Sequence, residues 1–278
     1  MSMFEYPAFD ADGVKILSRA GDSDNDMMMD VDAYRLLPGD KRVFFDASQE
    51  TAVMLVVGDV TYSWEDRAER ARRDSFIKEA PWCLHVCKGV SVEITANAES
   101  EVLVQRTKND RQFDSVFYRP EDVRENVLGV GVWEDRMLRT VRTVFDYVNA
   151  PYSNMVNGEV INHQGSWSSY TPHWHPQPEV YYYRFERPEG FGVCFQLKGE
   201  SQNVPGDEVG EEIFKITDGS VAHIKPGRLH PQVTAPGFDM YYCWMIRHLD
   251  GNPWTDRVVD PRYEWLDENM YAGMNGAK

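Results

Sequence analysis

Short apolar runs separated by glycine and proline turns constrain this chain more than any other feature. Segments 51–57, 91–95, 101–105, 180–185, 193–197, 220–225 and 240–245 are rich in Val, Ile, Phe and Tyr, side chains that suit a pleated, half-buried surface. Pro38-Gly39-Asp40, Gly58-Asp59, Lys88-Gly89, Pro188-Glu189-Gly190, Asp218-Gly219 and Pro226-Gly227 punctuate them, each a turn signal. Strands this short and this regular predict an all-β sandwich or barrel. The highly charged stretch 63–75 reads as a short exposed helix or a loop. Segment 134–148 fits a helical stripe through Met137, Leu138, Val141, Val144, Phe145 and Val148. It equally fits a strand through Val141, Thr143 and Phe145.

The pattern occurs twice. In the first half a turn, an apolar strand, Gly58-Asp59 and a charged excursion lead to a strand pair around Lys88-Gly89. A strand at 180–185, Gly190, a charged excursion through Glu212, Asp218-Gly219 and Pro226-Gly227 repeat that order. The 278 residues are long enough for two such units, with a boundary expected near 125–150 and a frayed end at 272–278.

Charge narrows the function. Lys and Arg total 29 against 45 Asp and Glu, a formal charge of −16, so a nucleic-acid or anionic-membrane partner is not expected. An acidic substrate would need a local basic cluster. The longest apolar run, 52–57, falls far short of the roughly 20 residues of a membrane helix. The first residues lack a signal-peptide pattern, and four cysteines do not make a disulfide framework. A cytoplasmic, reduced protein is the expectation.

The chemistry concentrates in Gly165-Ser166-Trp167-Ser168-Ser169-Tyr170-Thr171-Pro172-His173-Trp174-His175-Pro176-Gln177-Pro178-Glu179. On a strand, His173 and His175 project from one face and can meet one ion. Glu179 adds a hard oxygen ligand after three intervening residues. His230 follows fifty residues later, just past the Pro226-Gly227 turn. Three imidazoles and a carboxylate suit Zn, Mn, Fe or Ni, and ligand type does not choose among them.

His-x-His-x3-Glu followed by Gly-x2-His resembles the two motifs of the cupin superfamily, double-sheet β-barrels with a metal in the mouth. The neighbourhood is more specific. Trp167-Ser168-Ser169-Tyr170-Thr171-Pro172-His173, Glu179-Val180-Tyr181-Tyr182, Pro188-Glu189-Gly190-Phe191, Ala235-Pro236-Gly237-Phe238-Asp239-Met240-Tyr241-Tyr242, Pro253-Trp254 and Asp260-Pro261 are similar to the 5-deoxyglucuronate isomerase family of inositol catabolism. The likeness is strong over 155–265 and collinear but faint before it. It implies a bicupin, two double-sheet jelly-roll-like barrels in one chain. The expected division is 1–135, a degenerate barrel without metal, and 136–278, the barrel with the metal site.

The resemblance implies an aldose–ketose isomerase without redox cofactor, turning 5-deoxy-D-glucuronate into 5-dehydro-2-deoxy-D-gluconate. It assigns His173, His175, Glu179 and His230 to one divalent ion per chain, Zn or Mn foremost, with Fe or Ni also fitting. The first histidine of the chain is His85, so the first half offers no matching set. A homo-oligomer is expected. Three His and one Glu also hold the iron of cupin dioxygenases, and a non-catalytic bicupin can bind a sugar acid. Another sugar acid is the remaining alternative, because the chain has Val193-Cys194-Phe195-Gln196 where the family carries Gln-Arg, and Ile246-Arg247-His248 where it carries Met-Ala-Gly.

For a substrate carboxylate, the candidates are Arg228, beside the Gly227 turn, and Arg139, at a position resembling a family arginine. A guanidinium grips a carboxylate through paired hydrogen bonds. Strand parity sets Arg184 on the face opposite Glu179, Tyr181 and Tyr183, which suits a structural ion pair. Tyr181, Tyr183 and His248 are candidate pocket residues, and Tyr242 and Glu212 are candidate acid and base. Cys83-Leu84-His85-Val86-Cys87 reads as core packing, His163 as surface or supporting, and His223 as a satisfied barrel histidine.

Overall fold

The computed structural model of the chain describes residues 3–198 and 211–266; the expected frayed end at 272–278 lies outside them. The molecule is almost wholly antiparallel β-structure. Among the described residues, helical turns are confined to 120–122 and 261–266.

The first barrel turns on one long strand, Gln49–Trp64. Its front half pairs with Trp82–Val86 and Ser100–Lys108. Its back half leaves that sheet and pairs with Arg67–Arg73 and Val92–Ala96. The changeover falls where the register slips between Leu55 and Val57 and where Gly58 takes φ +120°. A Cβ at Gly58 would stand 2.6 Å from the Ser100 Cα, so only glycine turns this barrel corner. The second barrel sets a seven-stranded sheet against a five-stranded one. In the larger sheet, Glu179–Arg184 lies between Val221–Ile224 and Met240–Arg247, next to Met155–Asn162. Phe4–Glu5 and Arg124–Leu128 also join it, so this sheet draws strands from both sides of residue 135.

Strand alternation divides the apolar residues among three cores. Val53 and Leu55 fill the first barrel, whereas Ala52, Met54 and Val56 face outward into a central core. In the second barrel Tyr242, Trp244 and Ile246 point inward while Tyr241, Cys243 and Met245 join that central core. The barrels therefore pack back to back through one sheet each, which explains why these strands are apolar on both faces. All four cysteines are buried free thiols.

One segment departs from the sequence reading, and one left open between helix and strand is decided. The charged stretch 63–75 is neither helix nor loop but the turn and return strand of a hairpin, Arg67–Arg73. Its burial alternates: Arg70 and Arg72 face solvent, while Ala71 and Arg73 are buried. Segment 134–148 resolves to the strand Arg139–Phe145, with a register shift between Thr143 and Phe145. That irregularity puts an extra step into the period-two pattern and lets it mimic a helix.

Candidate metal centre

The site forms where three local structures meet at the mouth of the second barrel. His173 and Trp174 make a two-residue strand paired with Val259 and Val258. Glu179 opens the central strand, opposite Ile224 and Ile246. His230 follows the short strand Arg228–Leu229. Gly227, at φ +82°, donates its N–H to the His175 carbonyl at 3.0 Å, which fastens the Gly-x2-His turn onto the His-x-His segment.

One ligand atom from each of His175, Glu179 and His230 lies within 4.8 Å of the others, and all three residues are buried. His175 Nε2 is 3.2 Å and His230 Nε2 3.5 Å from the same Glu179 oxygen. The His173 ring stands edge-on to His230, centroids 4.9 Å apart. Each imidazole is oriented in the same way. His173 Nδ1 donates to the Thr171 carbonyl at 2.7 Å, His175 Nδ1 to Gln177 at 2.8 Å, and His230 Nδ1 to Arg228 at 2.9 Å. A carbonyl can only accept, so each ring carries a proton on Nδ1, and Nε2 is the nitrogen turned toward the site. Burial, reinforced by His230, holds His173 well below the ordinary histidine value; burial likewise lowers His230 against the pull of Glu179. His230 Nε2 is buried without a hydrogen-bond partner. Imidazoles oriented through Nδ1, one buried orphan nitrogen and one carboxylate fit a divalent ion.

These residues line a cavity of about 200 Å³. Tyr181 and Tyr242 form part of its wall with Ser169 and Ser168. Ser168 Oγ and the Tyr242 hydroxyl are 2.5 Å apart, Ser169 Oγ and the Tyr181 hydroxyl 3.1 Å. Burial raises both phenols above their ordinary values, so both are protonated donors at neutral pH. Val141, Val160 and Ile246 add apolar wall, and Arg139, Trp244, Trp254, Asp256 and Arg257 also reach the cavity.

A family model described as the KduI/IolB family matches residues 5–266. The chain belongs to the KduI/IolB family. A 5-deoxy-glucuronate isomerase of Geobacillus kaustophilus is 26% identical over 244 residues, 83% of this chain and 82% of the relative. One of Bacillus subtilis strain 168 is 23% identical over 271 residues, 93% and 95% of the two chains. The crystal structure of an IolB-like protein from Salmonella typhimurium superposes with a TM-score of 0.83 at 17% identity, covering 96% of this chain and 100% of that one. A Bacillus subtilis oxalate decarboxylase superposes at 0.62 and 13% identity, covering 93% and 79%. The fold is a bicupin.

Within this KduI/IolB chain the cavity gathers His173, His175, Glu179, His230, Arg139, Tyr181 and Tyr242, and leaves four expected residues outside its lining. Arg228 is buried opposite Lys198, and it is its carbonyl that serves the site, by orienting His230. Tyr183 points into the barrel core, where its hydroxyl donates to Gln232 at 2.7 Å. Glu212 sits across from Gln196 on the smaller sheet. His248 is buried beside Tyr147, and its Nδ1 accepts the Trp254 N–H at 2.9 Å.

Other residues fall where parity or packing put them. Arg184 pairs with Glu101 and, at 2.8 Å, with Asp218. His223 Nε2 donates to the Leu17 carbonyl at 2.7 Å. His85 is buried against Glu50 at 2.9 Å and stacks on Phe145. His163 is half-buried and bonds Thr140. Sequence reasoning missed Ser168, Ser169, Trp244, Trp254, Asp256 and Arg257. A signal existed for all but Trp244: Ser168 and Ser169 lie in the Trp-Ser-Ser-Tyr motif, and Pro253-Trp254 and Asp260-Pro261 bracket the last three.

Proposed function

We propose that this protein is a metal-dependent aldose–ketose isomerase that converts 5-deoxy-D-glucuronate into 5-dehydro-2-deoxy-D-gluconate in inositol catabolism. The chain would act on this small sugar acid in the cytoplasm, as a homo-oligomer, with one divalent ion per chain, Zn or Mn, in the 136–278 barrel, and with the 1–135 barrel free of metal. Its strongest support is the convergence of two histidine Nε2 atoms on one Glu179 oxygen, in a cavity that two protonated tyrosines also line. The shared name of the relatives supplies the substrate.

His173, His175, Glu179 and His230 would hold the ion. When bound, it would polarise the substrate carbonyl and neighbouring hydroxyl as a Lewis acid. Tyr242, kept protonated by burial and held against Ser168, is placed to donate to a substrate oxygen. Tyr181 with Ser169 makes a second such pair. Moving a proton between adjacent carbons also needs a base. Glu212 is outside the cavity lining, so that role passes to Asp256, the lining carboxylate not facing His175 and His230. The apolar wall of Val141, Val160 and Ile246 limits water at the reacting carbons.

The reading is tested by following 5-deoxy-D-glucuronate with the purified protein in D2O by NMR. Loss of the aldehyde signal with growth of a ketose, and with deuterium entering at the exchanging carbon, is expected. Metal-replete protein that leaves the sugar unchanged would refute it.

A further inference from the structure

We infer that Trp244 and Trp254 make the substrate-recognising wall of the cavity, and that their indole N–H groups donate to oxygen atoms of the bound sugar acid. The inference rests on the sugar-acid reading of the site and adds the residues that select the substrate within it.

Both tryptophans line the cavity. Both carry an indole nitrogen that is buried and makes no hydrogen bond among the described residues. A buried indole N–H ordinarily finds an acceptor; that of Trp82, by contrast, reaches the Arg72 carbonyl at 3.1 Å. Trp64 shares the orphaned state, but it lies in the core of the first barrel. Two orphans lining one cavity differ from it, because a ligand can supply the acceptors that the protein withholds. An indole N–H donates and cannot accept, so its partner must be a hydroxyl or carboxylate oxygen. Val141, Val160 and Ile246 give the same cavity apolar surface beside the indole rings. That combination suits a polyoxygenated carbon chain, with donors for its oxygens and apolar contact for the carbons between them.

Specific residues hold the two rings. Trp244 stands on strand 240–247, flanked in register by Gly158 and Tyr181. A Cβ at Gly158 would lie 2.6 Å from Trp244 Cε2 and Cζ2 and from the Arg142 carbonyl oxygen. Cε2 is the atom bonded to Nε1, so the missing side chain at 158 makes the room in which this indole edge sits. Gly158 is outside the left-handed region, and space rather than backbone conformation calls for glycine there. Trp254 is fixed through its backbone, whose N–H donates to His248 Nδ1 at 2.9 Å. Two residues earlier, the Asn252 carbonyl accepts from Gln177 Nε2 at 2.9 Å, and the carbonyl of the same Gln177 orients His175. The Trp254 ring packs on Trp244, centroids 5.6 Å apart, and stands edge-on to the His175 ring at 6.4 Å. The indole pair therefore adjoins a candidate metal ligand. This arrangement also accounts for His248, which holds Trp254 in place from outside the cavity lining.

The test uses metal-loaded full-length protein and 5-deoxy-D-glucuronate reduced at its aldehyde to the alcohol, a ligand that cannot isomerise. Protein isotope-labelled at the indole nitrogens is titrated with this ligand and followed by NMR. The Trp244 and Trp254 signals are assigned by comparison with Trp244→Phe and Trp254→Phe. We expect both N–H signals to move downfield as the ligand binds, and their exchange with water to slow. Replacing Trp254 by benzothienylalanine keeps the ring shape and puts sulfur in place of the N–H. That change should weaken binding about tenfold by calorimetry, with unchanged metal content. Wild-type protein that does not bind the ligand, binding that leaves either signal in place, or full affinity in the benzothienyl variant overturns the inference. If both signals respond but the wild type leaves 5-deoxy-D-glucuronate itself unchanged, the isomerase reading falls and the recognition wall stands.

Discussion

His175 and His230 aim their Nε2 atoms at one oxygen of Glu179, from 3.2 and 3.5 Å. Both rings spend their Nδ1 proton on a backbone carbonyl. Two ring nitrogens and a carboxylate oxygen thus face one another in a buried site, and burial disfavours protonation of His230 there. Lone pairs arranged so repel unless a cation stands among them.

Replacing His175 or His230 by alanine should therefore remove stoichiometric divalent metal while leaving the β-barrels folded, because the three apolar cores do not include either ring. Elemental analysis and circular dichroism check this. A His175→Ala/His230→Ala double variant with full metal content would refute the ligand assignment.

The Tyr242–Ser168 hydroxyl pair in the cavity wall gives a kinetic prediction. Tyr242→Phe should lower kcat by roughly a hundredfold with metal retained, the usual scale for losing a general acid. Ser168→Ala, which removes only the partner 2.5 Å away, should cost about tenfold. Steady-state kinetics with metal analysis separates this from site collapse; equal kcat in wild type and Tyr242→Phe would show that the phenol takes no part.

Much of this was legible along the chain, and the reasons differ by residue. The candidate ligands were visible because His173, His175 and Glu179 lie within one short segment and His230 follows a Pro-Gly turn. The two-barrel repeat was visible because strand alternation and turns leave local marks. Segment 63–75 misled because its arginines, read as charge, hid a period-two alternation. Arg257 was not legible: it joins the site through pairing of Val258 and Val259 with Trp174 and His173, a tertiary register that no local pattern encodes. Arg228 misled for the complementary reason, since closeness to His230 in sequence fixes its carbonyl at the site and not its side chain.

The contact between the barrels carries a buried ion pair. Arg73 and Glu159, both 0% exposed, meet at 2.7 Å, and Tyr241 donates to the same Glu159 oxygen. Arg73→Met should destabilise the chain by about 3–5 kcal/mol, because it strands a buried carboxylate. Adding Glu159→Gln should recover part of the loss. Denaturant unfolding of the single and double variants decides it; a single variant as stable as wild type would mean that Arg142, 3.5 Å from Glu159, neutralises that carboxylate alone.

Acid should weaken the metal-free protein in a defined window. Burial, with Arg247 adjacent, pushes His248 down to about 4, against roughly 6.5 in an unfolded chain. Between those values the unfolded state binds the extra proton, so stability is full above about pH 6.5 and falls as pH drops toward 4. His173, His223 and His230 are lowered in the same direction. His248→Asn, which keeps an acceptor for the Trp254 N–H, should flatten part of this slope. Melting temperatures from pH 7 to pH 4.5 measure it; identical slopes in variant and wild type would contradict the assignment.

The most direct test of a metal-dependent isomerase is removal and return of the ion. Protein stripped by chelation, then reloaded with one equivalent of Zn or Mn, is assayed by NMR for conversion of 5-deoxy-D-glucuronate to the ketose. The account predicts no conversion by the stripped protein, recovery that saturates at one ion per chain, and no recovery in His175→Ala. Undiminished conversion by stripped protein with no detectable metal would contradict it.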